Sequence, residues 1–344
     1  MLQAGAIVTG TAIAGCIGRG GGVDTISYIG RGGVTQDAMR EVSGRWEEET
    51  GVTIEHSSVA NDTEMMNVIE ANPGDIDLCN PSPSGFALAR ADDLLADLEY
   101  DELPNYFENI AEPWHSPPFL EGHDDGVYRY ISSQGLAYNT EEVDPFTSWD
   151  EILKDDYEDA VSLHASPHGR FANAAAAAGE DLNLAPEDDD VWEAIQEKAR
   201  QQHENIFTYW ASGDEHMRLL REERAMISSA WGGRIRNLQQ DGVPVEYFIP
   251  DEGAVTWSEG YAIPRNSEKQ ETAHDLLNWL YERENLVELS DLIGYPAPMD
   301  DPPEVVRELP DYTEHPDDLT WLDWDLMVPF TGELTEALAE IRGS

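Results

Sequence analysis

From residue 25 to 91 the chain alternates short apolar runs with stretches of helical periodicity, and this alternation narrows the fold more than any other feature. Residues 25–29, 52–56 and 76–79 read as strands, and 35–50, 64–71 and 84–91 as helices. Ala38, Val42 and Trp46 fall four apart on one face of the first helix, and Met65 and Ile69 point inward from the second. Strand followed by helix, three times over, predicts an α/β lobe built on a mainly parallel sheet. Ligands of such sheets sit beyond the carboxyl ends of the strands. Here those ends are Gly30-Arg31-Gly32-Gly33 and Asn80-Pro81-Ser82-Pro83-Ser84. The first places Arg31 before a helix N-terminus, where free amides and the helix dipole favour an anion, although its glycines lack dinucleotide-site spacing.

A second unit follows, with 161–164 as strand, 165–170 as a loop ending in Arg170, and 171–178 as an alanine-rich helix. Between the units, 92–125 reads as an irregular packed loop, and 128–139 as an extended segment able to cross between lobes. Ser148 and Glu151 have capping-box spacing and should open a short helix. Helices are expected at 191–203, 214–224, 269–281 and 331–342, with 300–318 as surface chain. The stretch 226–264 reads as strand, loop, helix, strand and returning strand. Its two loops carry Trp231 and Trp257, each beside a charged residue and small neighbours that let a ligand approach the backbone.

The 344 residues, 40% of them hydrophobic, suffice for two lobes. Seventy acidic residues face 20 basic ones, of which only Lys154, Lys198 and Lys269 are lysine, for a formal net charge of −50. Such a chain does not track phosphates, so nucleic acid is not an expected partner. The acids are spread along the whole length, which reads as a surface suited to high salt. Cys79 sits in an apolar run as a small buried hydrophobe. With no Cys-x-x-Cys spacing, neither a structural metal nor a disulfide framework is indicated, and no cofactor is expected. Residues 4–15 are small and apolar and end in Ile13-Ala14-Gly15-Cys16, which resembles the lipobox of secreted lipoproteins. The expectation is a lipid-modified Cys16 followed by a glycine-rich tether, with a start codon upstream supplying the missing basic segment.

Several short motifs stand in a telling order: Glu49-Thr50-Gly51-Val52, Asn61-Asp62-Thr63-Glu64-Met65, Asp77-Leu78 before Pro81-Ser82, and Gly135-Leu136-Ala137-Tyr138-Asn139. Thr147-Ser148-Trp149, Trp231 with Gly233, Trp257 with Glu259, Ala262-Ile263-Pro264 and Ile293-Gly294-Tyr295-Pro296-Ala297-Pro298 follow. Together they resemble the spermidine/putrescine-binding family of ABC transporter solute-binding proteins. The resemblance implies a two-lobed type II periplasmic-binding-protein fold, each lobe a mainly parallel sheet flanked by helices, joined by hinge crossovers. The expected division is 24–133 with 262–310 as one lobe, 134–261 as the other, and 311–344 as a segment and helix near the hinge. Residues 1–23 form the signal and tether. It further implies a monomeric, non-enzymatic protein that delivers a small-molecule solute to a membrane permease driven by an ATPase. The lipid on Cys16 would hold it at the external face of the membrane.

Carried over by position, Trp231 and Trp257 are aromatic walls, Glu259 is the acid after the second tryptophan, and Ser82 and Ser84 line the first lobe. Where polyamine binders place acidic residues, this chain has Ser166 and Gly169, followed by Arg170. With Arg31 and Arg234, three arginines stand in strand-end loops. The expected ligand is therefore an anionic or zwitterionic solute held by some of Arg31, Arg170 and Arg234, with Glu259 taking any ammonium group. Two readings stay open beside it: a polyamine ligand, and arginines that pair with carboxylates across the cleft. From another class, a secreted carbohydrate hydrolase would also place carboxylates near tryptophans. No GxSxG, HExxH, EF-hand or P-loop motif is present. The acidity itself sets a test: because the Debye length shrinks from about 10 Å at 0.1 M to about 3 Å at 1 M salt, the melting temperature is expected to fall as salt is withdrawn. A salt titration followed by circular dichroism checks this, and a flat response would contradict it.

Overall fold

The computed structural model describes residues 25–343; the lipobox, Cys16 and the tether lie outside the described residues. Its first half-sheet comes from β1 (Thr25–Arg31), α1 (Val34–Thr50), β2 (Thr53–Val59), α2 (Asp62–Ala71), β3 (Leu78–Cys79) and α3 (Pro83–Ala91). The three strands are parallel in the order β2-β1-β3, with Thr25 opposite Thr53 and Tyr28 opposite Leu78. The expected third strand shrinks to two paired residues, although the Asp77 amide still donates to the Ser27 carbonyl at 2.9 Å. Gly33 opens α1 at φ 84°, a left-handed angle that a side chain would make costly. Asn61 caps α2 through the Glu64 amide, which moves that helix's start two residues earlier than the periodicity indicates.

The loop 92–125 holds α4 (Pro104–Asn109) among single helical turns, with Trp114 fully buried. β4 (Val127–Tyr130) and β5 (Ser133–Asn139) then run nearly end to end, broken at Ile131 and Ser132 where the chain leaves one lobe for the other. β6 (Val161–His164), α5 (Pro167–Ala178), α6 (Asp189–His203), β7 (Ile206–Trp210), α7 (Gly213–Arg221), β8 (Ile227–Trp231), α8 (Gly232–Gln240), β9 (Val245–Phe248) and β10 (Val255–Thr256) build the second lobe. Its sheet runs β10-β5-β8-β6-β7, with β9 also on β5; β6 is parallel to both neighbours and β5 antiparallel to its own. β11 (Glu259–Tyr261) returns to the first lobe, pairing with β4 and bridging Ala262 to Cys79 beside β3. The outgoing and returning chains therefore lie side by side, with the Trp257 amide on the Ser132 carbonyl at 2.8 Å. α9 (Gln270–Leu280), α10 (Arg283–Ile293), α11 (Glu304–Arg307) and α12 (Trp324–Gly343) complete the chain.

One apolar cluster, around Ile26, Met39, Trp46, Met65, Phe86 and Leu277, fills the first lobe. Separate clusters fill the second, and α12 contributes Leu334, Leu338 and Ile341 to the one holding Phe171 and Ile195. Three local expectations need correction. The helix at 149–153 is a 3₁₀ turn, with Ser148 Oγ accepting from Asp150 rather than making the full box. β7 has no counterpart in the sequence reading. α12 begins seven residues before the expected 331 and runs on through Pro329, an interior proline that gives up one i→i−4 hydrogen bond.

The stretch 300–318, expected as surface chain, is a further correction: Val306, Leu309 and Asp311 are buried, and the segment after α11 fastens the crossing. Asp311, fully buried, accepts from the Ser133 amide at 2.9 Å, from Ser133 Oγ at 2.5 Å and from the Tyr247 hydroxyl at 3.1 Å. No cation lies in ion-pair contact with it among the described residues, and burial pushes its carboxyl up from its ordinary 3.8 to about 7 despite those donors. The folded state thus binds a proton that the unfolded chain releases, so this group's contribution is full below about pH 4 and is lost as pH rises through about 7. Asp311→Asn is expected to be more stable than wild type by ~2–4 kcal/mol at pH 8, with the difference closing towards pH 4. Parallel melts at constant salt measure it, and a pH-independent difference would rule out the buried-acid account.

Candidate functional site

A cavity of about 520 Å³ opens between the lobes at the carboxyl ends of both sheets. The first lobe contributes the β1–α1 turn from Arg31 to Gly33 and the end of β2 at Val59 and Ala60. The second contributes His164 and Ser166 after β6, the start of α7 from Ala211 to Asp214 after β7, and Trp231 and Arg234 at the β8–α8 junction. Tyr130, Trp257, Glu259 and Tyr295 form the floor where the chains cross. α1, α5, α7 and α8 all begin at this cavity, so their unpaired amides and positive dipole ends converge on it.

Aromatic rings form one wall. Trp231 and Trp257 stack at 6.0 Å between centroids and 26° between planes. Trp231 also meets Trp210 edge-on at 4.9 Å, and His164 stacks on Trp210 at 4.2 Å. Burial pulls the His164 pKa down to about 4, so its ring is neutral at neutral pH; its Nδ1 faces Gln134 Oε1 at 3.2 Å. Tyr130 and Tyr295 stack at 5.2 Å beneath the cavity, and burial raises both phenols well above their ordinary pKa.

The charges split into a paired group and a free one. Arg31 lies 2.6 Å from Asp62 and 3.6 Å from Glu259, and its guanidinium stands 5.6 Å from the Trp257 ring. Glu259 is 2% exposed; its other oxygen receives Arg129 at 2.9 Å and Asn80 at 2.5 Å. Burial alone would raise the Asp62 carboxyl, but Arg31 and the hydroxyls of Ser82 and Ser84, at 2.5 and 2.8 Å, outweigh it and hold the pKa below the usual range. Arg234, in contrast, makes no ion pair and no hydrogen bond with any described residue. A Cβ built on Gly213 would stand 2.9 Å from its Nε, and one on Gly33 3.8 Å from its Nη2. Arg234 thus lies against the α7 start and reaches across to the first lobe.

Of the residues singled out from sequence, Arg31, Trp231, Arg234, Trp257 and Glu259 come together on the cavity. Ser82 and Ser84 do not line it; they stand behind, holding Asp62 in place for Arg31. Arg170 is a correction. The helix starts at Pro167, not Phe171, which turns Arg170 inward at 1% exposure, where it donates to the Ala199 carbonyl at 2.8 Å in the last turn of α6. It ties α5 to the negative end of α6 and is removed from the cleft. Sequence reasoning missed Ser212 to Asp214 because it missed β7; the run Ile206-Phe207-Thr208-Tyr209-Trp210, β-branched and aromatic, was the available signal. Arg129 was also missed, since nothing in its neighbourhood marks it as a partner of Glu259.

The chain matches, over residues 44–317, the family model described as bacterial extracellular solute-binding protein. The spermidine/putrescine-binding periplasmic protein of Salmonella typhimurium is 26% identical over 253 residues, spanning 73% of this chain and 71% of that one. Spermidine/putrescine-binding periplasmic protein 1 of Haemophilus influenzae is 24% identical over 253 residues, 72% of this chain and 69% of its own. The crystal structure of a spermidine/putrescine ABC transporter substrate-binding protein from Streptococcus pneumoniae superposes with a TM-score of 0.81 at 20% identity, covering 93% of this chain and 98% of that one. The superposition shows a shared two-lobed fold, and the chain belongs to the bacterial extracellular solute-binding protein family.

Proposed function

We propose that this protein captures a small polar solute in the interlobe cleft and delivers it to the permease of an ABC importer, and that the solute carries an anionic group seated on Arg234. The observation that carries the proposal is the contrast between the two sets of charges. Glu259 already receives Arg129 and Asn80 and faces Arg31, whereas the Arg234 guanidinium makes no ion pair with any described residue. A planar guanidinium next to a helix start suits a carboxylate or phosphoryl group held by two parallel hydrogen bonds. The stacked tryptophans would cover an apolar or cationic remainder of the ligand. Opening and closing would follow from the paired crossings near Ile131 and Trp257, with β11 moving with the first lobe and β5 with the second. A lipid on Cys16 would keep the carrier at the outer membrane face, and the role is binding without turnover.

The names of the relatives favour a polyamine instead, and the stacked tryptophans with Glu259 would serve one. Against this, Asp214, exposed at the rim, is the other carboxylate on the cavity, and Ser166 stands uncharged where an acid was expected. Putrescine, 4-aminobutyrate and succinate share a four-carbon chain and differ only in their end charges. In a high-salt thermal-shift and calorimetric series, a probe with a carboxylate is expected to bind and to stabilise the protein by about 2.7 kcal/mol at one hundred times its Kd. Arg234→Met should weaken that probe by ~1.5–3 kcal/mol, roughly 10- to 100-fold. Putrescine as the single binder, with Arg234→Met indifferent, would return the protein to the polyamine reading.

A further inference from the structure

Arg129 takes no part in lining the cavity, yet it decides what charge the floor presents. It lies on β4 at 4% exposure, with its Nη1 2.9 Å from Glu259 Oε2 and its guanidinium 5.4 and 5.0 Å from the ring centres of Tyr130 and Tyr261. Those rings seal it from solvent, so the pair is weakly screened by salt. Counting the cluster, two carboxylates, Asp62 and Glu259, meet two guanidiniums, Arg31 and Arg129. The only member of this cluster with appreciable exposure is Arg31, at 18%. Without Arg129 the same cluster would carry one uncompensated negative charge at the cavity floor, which Glu259 and Trp257 both line. We propose that Arg129 is a specificity-determining residue that acts through Glu259: it cancels the carboxylate that would otherwise recruit an ammonium group, and so turns a cation-selecting floor into one that tolerates anions. The inference rests on the anionic reading of the ligand.

The test reads a ratio, not an affinity, because damage to the fold lowers binding of every probe alike. Dissociation constants for putrescine and succinate are measured in high salt for the wild type, Arg129→Met, Glu259→Gln and the double variant. Arg129→Met should shift the preference towards putrescine by about tenfold or more, the size expected for one uncompensated charge a few ångströms away. Glu259→Gln frees Arg129 and should shift it towards succinate by a similar factor. The double variant, neutral again, should return to within about threefold of wild type. If Arg129→Met does not fold, the other two variants decide: a shift in Glu259→Gln that the double variant reverses supports the proposal. Unchanged ratios in folded variants overturn it, even where the wild type prefers succinate. A wild type that prefers putrescine overturns the anionic reading, since Glu259 would then recruit amines despite Arg129.

Discussion

Glu259 brings a full negative charge to a position only 2% exposed, and much of the cleft follows from how that charge is met. Taking a carboxylate out of water costs several kcal/mol, recovered only when donors close around it with good geometry. Here Asn80 after β3 and Arg129 in β4 donate hydrogen bonds, and Arg31 at the end of β1 adds an ion pair at 3.6 Å. Arg31 is in turn fixed by Asp62 at the start of α2, which Ser82 and Ser84 hold. One buried network thus fastens the strand ends of the first lobe to the chain returning from the second. Removing any member leaves another charge buried without its partner, which is far costlier than replacing the pair.

The same network sets the net charge of the cavity floor. Its formal charges cancel inside the first lobe, which leaves the α1 start as that lobe's main field on the cavity. The second lobe offers Arg234, the starts of α5, α7 and α8, and Asp214. The crossings carry Trp257 and Glu259, so floor and wall are tied to the same short ladder between the lobes. Asp311 adds a second fastening at this ladder through Ser133 and Tyr247.

Much of this was legible in the residues. The strand and helix alternation placed β1, β2 and the first three helices, and the rule that ligands sit beyond strand carboxyl ends led to Arg31, Trp231 and Arg234. What stayed hidden depended on helix starts and on side chains that meet only in three dimensions. Arg170 looked like a loop residue because the helix was placed from Phe171, whereas proline at the first helical position lets it begin at Pro167. β7 was missed because its alternation is weak, with Phe207 exposed and only Trp210 buried. The pairing of Arg129 with Glu259 spans 130 residues, and no local pattern could announce it.

Acidity and site chemistry are tied together by salt. At low ionic strength a net charge of −50 creates a field that opposes the approach of any anion, whatever the cleft offers. In molar salt that field decays within a few ångströms, and an anion near the mouth responds mainly to groups it can touch. Arg234 then acts as a short-range cation in a chain whose other charges are screened. Buried pairs such as Arg129 with Glu259 lose little under the same conditions, because solvent ions do not reach them. High salt would therefore weaken the long-range repulsion selectively while leaving the recognition surface in place. An acidic exterior is in this way compatible with an anion-accepting interior, provided that the carboxylate on the floor is already neutralised from behind.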